Sequence, residues 1–252
     1  CHNPHWRELF YRWFLGMVAH WRGTDKQHGN NTSPLLVGPQ GYRKSTFCRI
    51  LLPPELRFGY TDSIDFKSKQ EAERSLGRFF LINIDEFDQI NANQQGFLKH
   101  LLQKPVANLR KPYGSTIQEM RRYASFIGTS NLKDLLTDPS GSRRFICIEV
   151  TGPIQTNVTI NYRQLYAQAM HDIMKGERYW LDDTDEAIVK EYNREFERAD
   201  PLEELFLCYF RGAEESEEGE WLTAMQIFND LQQKTRDKLA INRIAAFGRK
   251  LR

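Results

Sequence analysis

The nine residues Gly38-Pro39-Gln40-Gly41-Tyr42-Arg43-Lys44-Ser45-Thr46 constrain this 252-residue chain more than any others. A phosphate chain needs closely spaced amide donors, a helix start and a positive charge. The segment supplies all three between a short apolar run, Pro34 to Val37, and a helix predicted from Lys44 to about Leu52, which Pro53 and Pro54 end. Gly38 and Gly41 would let the backbone wrap a β-phosphate. Lys44 would reach the β- and γ-phosphates, and the Ser45 hydroxyl would ligate Mg²⁺. The pattern G-x-x-x-x-G-K-S/T is met except at its last glycine, where Arg43 stands. An ordinary strand-loop-helix turn is the competing explanation.

Three further elements follow in order. The apolar run Phe79 to Ile84 reads as a strand in the buried middle of a parallel sheet, and it ends in Asp85-Glu86 about 40 residues after Lys44. Asp85 would hold the metal through water, and Glu86 would orient and polarise an attacking water. The strand Ala124 to Gly128 ends in Thr129-Ser130-Asn131. Asn131 there would touch the γ-phosphate or the lytic water; alternatively it caps a helix beginning near Leu132. Gly141-Ser142-Arg143-Arg144 stands directly before the strand Phe145 to Val150. One of the two arginines would stabilise transition-state charge, often from a neighbouring subunit; the alternative is solvation or a structural ion pair.

The rest of the chain alternates in the manner of an α/β fold. Apolar residues at steps of three and four predict a helix over Trp6 to Trp21, before a turn-rich stretch from Gly23 to Ser33. Helices are predicted over Lys69 to Gly77 and Asn93 to Gln103, and a strand over Tyr123 to Gly128. Val106 to Gln118 reads as a hairpin or ordered loop. Lys104, Arg110, Lys111, Arg121 and Arg122 stand in this region against the single acid Glu119, with Tyr113 at the tip, so a basic hairpin touching a nucleic-acid backbone is expected there. After Gly152 come helices at Tyr162 to Met174, Asp185 to Ala199 and Pro201 to Phe210. The acidic run Glu214 to Glu220 reads as a solvated linker, and Trp221 to Arg252 as two short helices. The expected segments are 1–33, an N-terminal helical piece; 34–152, the core; 153–200, a helical extension; and 201–252, a small helical or winged-helix-like domain.

Net charge is +2, so a nucleic-acid role must rest on where the basic residues sit. No apolar run reaches the roughly 18 residues that span a bilayer. Four scattered cysteines, without metal spacing or disulfide density, suit reduced thiols in the cytoplasm. The chain starts at Cys1 without a signal peptide and is read as a piece of a longer protein.

Taken together, Gly38 to Thr46, Asn83 to Asp88, Arg110 to Gly114, Phe126 to Asn131 and Gly141 to Phe145 resemble the virulence-associated E (VirE/VapE) family, itself similar to superfamily 3 helicases and primase-associated ATPases. The resemblance covers about residues 5 to 180. The remainder from residue 201 looks like a small domain of unknown function that often follows this ATPase in Bacteroidetes proteins. It implies an α/β, AAA+-like P-loop NTPase: a central parallel sheet of order 5-1-4-3-2 flanked by helices, plus a small, mainly helical C-terminal domain. It implies ATP and Mg²⁺ as cofactors, a homo-oligomeric ring, single-stranded DNA as partner and an upstream primase region, in phage-derived or mobile elements. By the same matching, Lys44 and Ser45 fall on the Walker A positions, Asp85 and Glu86 on Walker B, Asn131 on sensor 1, and Arg143 or Arg144 on the arginine finger. Arg43 departs from the pattern by placing a side chain where the loop normally has none.

The leading expectation is therefore a Mg²⁺-dependent, helicase- or primase-associated ATPase acting on DNA. A nucleotide-gated nucleic-acid-binding scaffold with weak or no hydrolysis is the second, favoured by Arg43 and opposed by Glu86. A P-loop kinase is the third; such enzymes usually lack the Asp-Glu pair and carry an arginine-rich lid, which is not evident here.

Overall fold

The computed structural model describes residues 3–23, 29–110, 117–137, 139–198, 201–213, 219–235 and 248. In chain order these form α1 (Trp6–Arg22), β1 (Ser33–Val37), α2 (Lys44–Ile50), β2 (Tyr60–Thr61), α3 (Lys69–Arg78), β3 (Leu81–Ile84), α4 (Ala92–Gln103), β4 (Val106–Arg110), β5 (Ile117–Arg121), β6 (Ser125–Ser130), β7 (Phe145–Glu149), α5 (Tyr162–Met174), α6 (Asp183–Asn193), α7 (Pro201–Tyr209) and α8 (Ala224–Thr235).

Strands β1, β3 and β6 are buried at every residue, because the sheet is covered on both faces. Successive side chains leave a strand on opposite sides. Leu35, Val37, Ile82, Ile84 and Phe126 therefore pack with Ala72 and Leu76 of α3 and Leu98, Leu101 and Leu102 of α4. Leu36, Leu81, Ile127, Ile146 and Ile148 meet Leu9, Trp13 and Met17 of α1, Cys48 of α2, Ala169 of α5 and Val189 of α6. Helix α1 thus shares a core with the sheet. Residues Cys1–Arg198 form one compact unit that takes in the segments expected separately at 1–33 and 34–152 and all but the last two residues of the one expected at 153–200.

All pairings within the sheet are parallel, in the order β2-β3-β6-β1-β7. Counted among the five sheet strands alone, this is 5-1-4-3-2 from the β7 edge. The antiparallel β4-β5 hairpin forms a separate sheet. Register aligns Val37 with Ser130 and Ile84 with Gly128, so the residues after β1, β3 and β6 emerge at one edge.

Some boundaries differ from the sequence expectation. Strand β3 begins at Leu81, because Phe79 is the C-cap of α3 and its N–H bonds Ser75 O. Strand β6 begins at Ser125, because the N–H groups of Tyr123 and Ala124 both bond Leu76 O at the end of α3. The two-residue β2 is too short to leave a periodic signal. Helix α6 stops at Asn193, whose buried amide donates to Ser142 O at 2.7 Å and Phe145 O at 2.8 Å. A 3₁₀ turn, Arg194–Phe196, follows, and Arg198 N–H then bonds Leu136 O at 2.8 Å.

Residues Ala199–Arg252 form a second unit. Phe228 and Leu231 of α8 pack there with Leu205 and Phe206 of α7 and with Phe210. Among the described residues no helix is long and apolar enough to cross a membrane.

Candidate nucleotide site

The loop between β1 and α2 is pinned at its start. Gly38 N–H donates to Ser130 O at 3.0 Å, and Val150 N–H donates to Val37 O at 2.7 Å. A Cβ on Gly38 would stand 2.7 Å from Val150 O, so only glycine lets the loop pass this close to the end of β7. Gly41 takes φ +86°, the left-handed region open to glycine without cost. Arg43 also lies there, at φ 59° and ψ 29°, as N-cap of α2. The helix nonetheless starts in register, with Phe47 N–H bonding Arg43 O at 2.9 Å.

Loop residues Gln40 to Thr46 line a cavity of about 330 Å³, together with Asp85, Glu86, Thr129 and Asn131. The volume is at the low end for small-molecule sites. Lys44 is only 6% exposed, and its ammonium donates to Gly38 O at 2.5 Å, Pro39 O at 2.9 Å and Asn131 Oδ1 at 3.1 Å. Burial lowers its pKa, and the nearby Asp85 and Asp88 partly oppose that shift. The bond from Lys44 argues for the site reading of Asn131. No helix begins at Leu132 for it to cap.

Asp85 accepts from Ser45 Oγ at 2.9 Å and from the Thr129 hydroxyl through the same Oδ1. Adjacent ligands of an octahedral Mg²⁺ with bonds of about 2.1 Å stand about 3 Å apart. The Ser45–Asp85 pair, two hard oxygens at that separation, fits such an ion. Glu86 is exposed on the cavity wall and is left-handed, at φ 52° and ψ 51°. Among the described residues, Arg43 and Glu86 are the non-glycines with positive φ, and both line this one cavity. Each such conformation costs about 1–2 kcal/mol, and strain of this kind clusters at functional sites.

Sequence reasoning gave no role to Asp88 or Thr129. Burial raises the Asp88 pKa, but hydrogen bonds from Ser130 Oγ at 2.8 Å and Asn131 N–H at 3.2 Å outweigh it, and the net shift is downward. Asp88 thereby fixes the backbone that carries Asn131. The only sequence signal was its place in Asp85-Glu86-Phe87-Asp88.

Arg143 and Arg144 do not line this cavity. They precede β7, and Phe145 is in register with Ser33 at the start of β1. The loop after Val37 lies a strand length away, about 13 Å. Arg143 is paired with Glu186 of α6 at 2.8 Å.

Three of the five cations expected on the basic hairpin have partners within the fold, and one of them, Arg122, is buried. Arg122 is 1% exposed and donates to the carbonyls of Ala124, Leu102, Lys104 and Asn30. Arg121 donates to His20 O at 2.7 Å and Trp21 O at 3.0 Å. Lys104 pairs with Glu73 at 2.6 Å. These charges hold the hairpin base to α1, α3 and α4. Arg110 is described in backbone alone, at the end of β4, and Lys111 and Tyr113 lie outside the described residues.

No curated protein matches the chain. Among solved structures, the apo NrS-1 C terminal region (305-718) matches at 16% identity and a TM-score of 0.44, over 73% of this chain and 43% of that one. Its A form matches at 15% identity and 0.46, over 79% and 48%. The present chain therefore spans less than half the length of either. Residues 199–252 match a domain of unknown function from B. Theta, DUF3874. Residues 1–198, which hold the whole cavity, match the model of the Virulence-associated protein E-like domain, and the chain belongs to that family.

Proposed function

We propose that residues 1–198 bind ATP in the cavity between the β1–α2 loop and the ends of β3 and β6, and hydrolyse it. The observation that carries this reading is the convergence of Lys44, Ser45, Asp85 and Asn131, from three neighbouring strand ends, on one cavity. The loop amides would receive the phosphates, and Lys44 is preset beside them by two loop carbonyls and Asn131. Ser45 and Asp85 would hold Mg²⁺, which when bound neutralises charge on the transferring phosphoryl group. Glu86 would take the proton of the attacking water. Asn131 would orient that water or the γ-phosphate, its backbone held by Asp88.

The wider reading is a helicase- or primase-associated ATPase of a phage or mobile element, forming a homo-oligomeric ring on single-stranded DNA, with Arg143 or Arg144 acting on a neighbour's nucleotide. Family membership supports a replication context. The distance of Arg143 and Arg144 from their own cavity is compatible with action on another subunit.

The test is ATP hydrolysis with and without single-stranded DNA, in the parent, Lys44→Ala and Glu86→Gln. The expected result is loss of turnover in both variants, with nucleotide binding kept in Glu86→Gln. Hydrolysis untouched by either substitution would sink the enzymatic reading. A nucleotide-gated scaffold is the second reading, favoured by Arg43 in the glycine position; it predicts ATP binding without turnover in the parent.

A further inference from the structure

We infer that Arg43 is a catalytic residue of the nucleotide site: a cation supplied from the phosphate loop of the subunit that holds the nucleotide. The inference rests on the ATPase reading above.

Arg43 lines the cavity beside Lys44, with Asp85 and Glu86 among the other walls. Its side chain makes no hydrogen bond or ion pair with the described residues, although both acids share the cavity with it. Three other arginines of the unit are engaged with acids: Arg12 with Glu8 and Asp185, Arg178 with Asp182 and Asp185, and Arg143 with Glu186. Lys44 is fully engaged as well. An ammonium has three N–H donors, and here they meet three acceptors. Lys44 must exchange one of these bonds to grip a phosphate, whereas the Arg43 guanidinium has none to give up. Its planar fork of donors also suits phosphate oxygens better than an ammonium does.

Folding does not explain the arginine. Its left-handed backbone favours glycine, so the side chain strains the loop instead of stabilising it. Arg143, the cation expected from the family pattern, is tied to Glu186 and precedes β7, at the opposite end of the sheet from the loop.

In the step itself a water oxygen forms a bond to the γ-phosphorus, and the bond from that phosphorus to the β,γ-bridging oxygen breaks. The bridging oxygen leaves with the electron pair as part of ADP, and the water proton passes to Glu86. Arg43 donates N–H bonds to the oxygens on which charge grows and is itself unchanged.

The experiment measures kcat and KM for ATP, together with ADP affinity, in the full chain carrying Arg43→Gly or Arg43→Lys, with Lys44→Ala as reference. Glycine suits the backbone at this position, so Arg43→Gly keeps the fold, which its melting curve checks. The expected result is a fall in kcat of about 10²-fold or more in Arg43→Gly, with ADP affinity little changed and a smaller loss in Arg43→Lys. Added millimolar guanidinium restores part of the lost turnover in Arg43→Gly and none in Lys44→Ala. Turnover in Arg43→Gly equal to the parent's, while Lys44→Ala abolishes it, overturns this inference alone. A fall in ADP affinity that accounts for the whole loss does the same. A parent without hydrolysis, or one indifferent to Lys44→Ala, overturns the ATPase reading and this inference with it.

Discussion

Replacing Arg122 by methionine separates a structural cation from a nucleic-acid contact. Methionine keeps the apolar stem and removes the guanidinium, whose short bonds reach Leu102 O at 2.7 Å, Ala124 O at 2.8 Å, and Lys104 O and Asn30 O at 2.9 Å. A fifth, to Leu101 O at 3.4 Å, is weak. At the lower end of the cost of a buried unsatisfied group, four orphaned carbonyls amount to about 4 kcal/mol. Relief of a buried charge offsets part of that, leaving a loss of about 3 kcal/mol. For a unit of this size that corresponds to a fall in Tm of about 10 °C. Urea and thermal unfolding followed by circular dichroism measure it. Single-stranded DNA binding over a range of salt is measured alongside, at a temperature where the variant is folded. The salt slope should match the parent's, because Arg122 reaches no phosphate. A variant within 1 kcal/mol of the parent's stability whose salt slope is shallower by about one unit would refute the assignment and return Arg122 to the nucleic-acid surface.

His20 accepts from Asn30 N–H at 2.6 Å, and burial, with Arg122 and Arg121 nearby, pushes its pKa from 6.5 down to about 3. The unfolded chain therefore takes up the proton first. Stability is full above pH 6.5 and falls as pH drops towards 3, by about 3 kcal/mol between pH 6.5 and 4; urea midpoints at several pH values should show this slope, and His20→Gln should flatten it. Asp185 joins α6 to α1 through Arg12 and accepts from Arg178 at 2.5 Å; Asp185→Ala removes the partner these two arginines share but leaves them Glu8 and Asp182, and should cost about 2 kcal/mol. Breaking the exposed Arg74–Glu71 pair should cost under about 1 kcal/mol by the same unfolding assay. Arg43→Gly should raise the urea midpoint by the equivalent of about 1 kcal/mol, since it relieves a left-handed arginine.

The strands were legible because the sheet is covered on both faces, which turns each of its central strands into an apolar run. What joins one strand end to another was not. Thr129 reaches Asp85, and Ser130 reaches Asp88, only because β6 lies beside β3 with Gly128 in register with Ile84. Linear spacing carries no trace of that register. Asn131 was ambiguous for the same reason, since capping and phosphate contact ask for the same residue type; in the structure no helix follows for it to cap, and it accepts from Lys44. Arg122 departs from expectation for a different reason. Charge counting treats every arginine as solvated, yet Arg122 spends its donors on backbone carbonyls that end or connect other elements. A run of basic residues next to strand ends can hold a fold together as readily as it can face a polyanion.

The departure at Arg43 is the point where motif and structure must be weighed against each other. Were the missing glycine needed for the loop to form, its loss would disturb what lies downstream: α2 would start late, and Lys44 would miss the carbonyls of Gly38 and Pro39. Neither has happened; Phe47 N–H bonds Arg43 O, and Lys44 keeps both contacts. The loop has kept the left-handed turn and accepted the strain. What the substitution changes is then charge and bulk at the cavity wall, not the start of the helix. Glu86 strengthens the point from the other side of the site. It too is left-handed without being glycine, and it too is exposed on the same wall. Two independent breaches of a local backbone rule, one cationic and one anionic, meet at a single cavity, and the proposed phosphoryl transfer would need one charge to stabilise the phosphate and another to take up a proton.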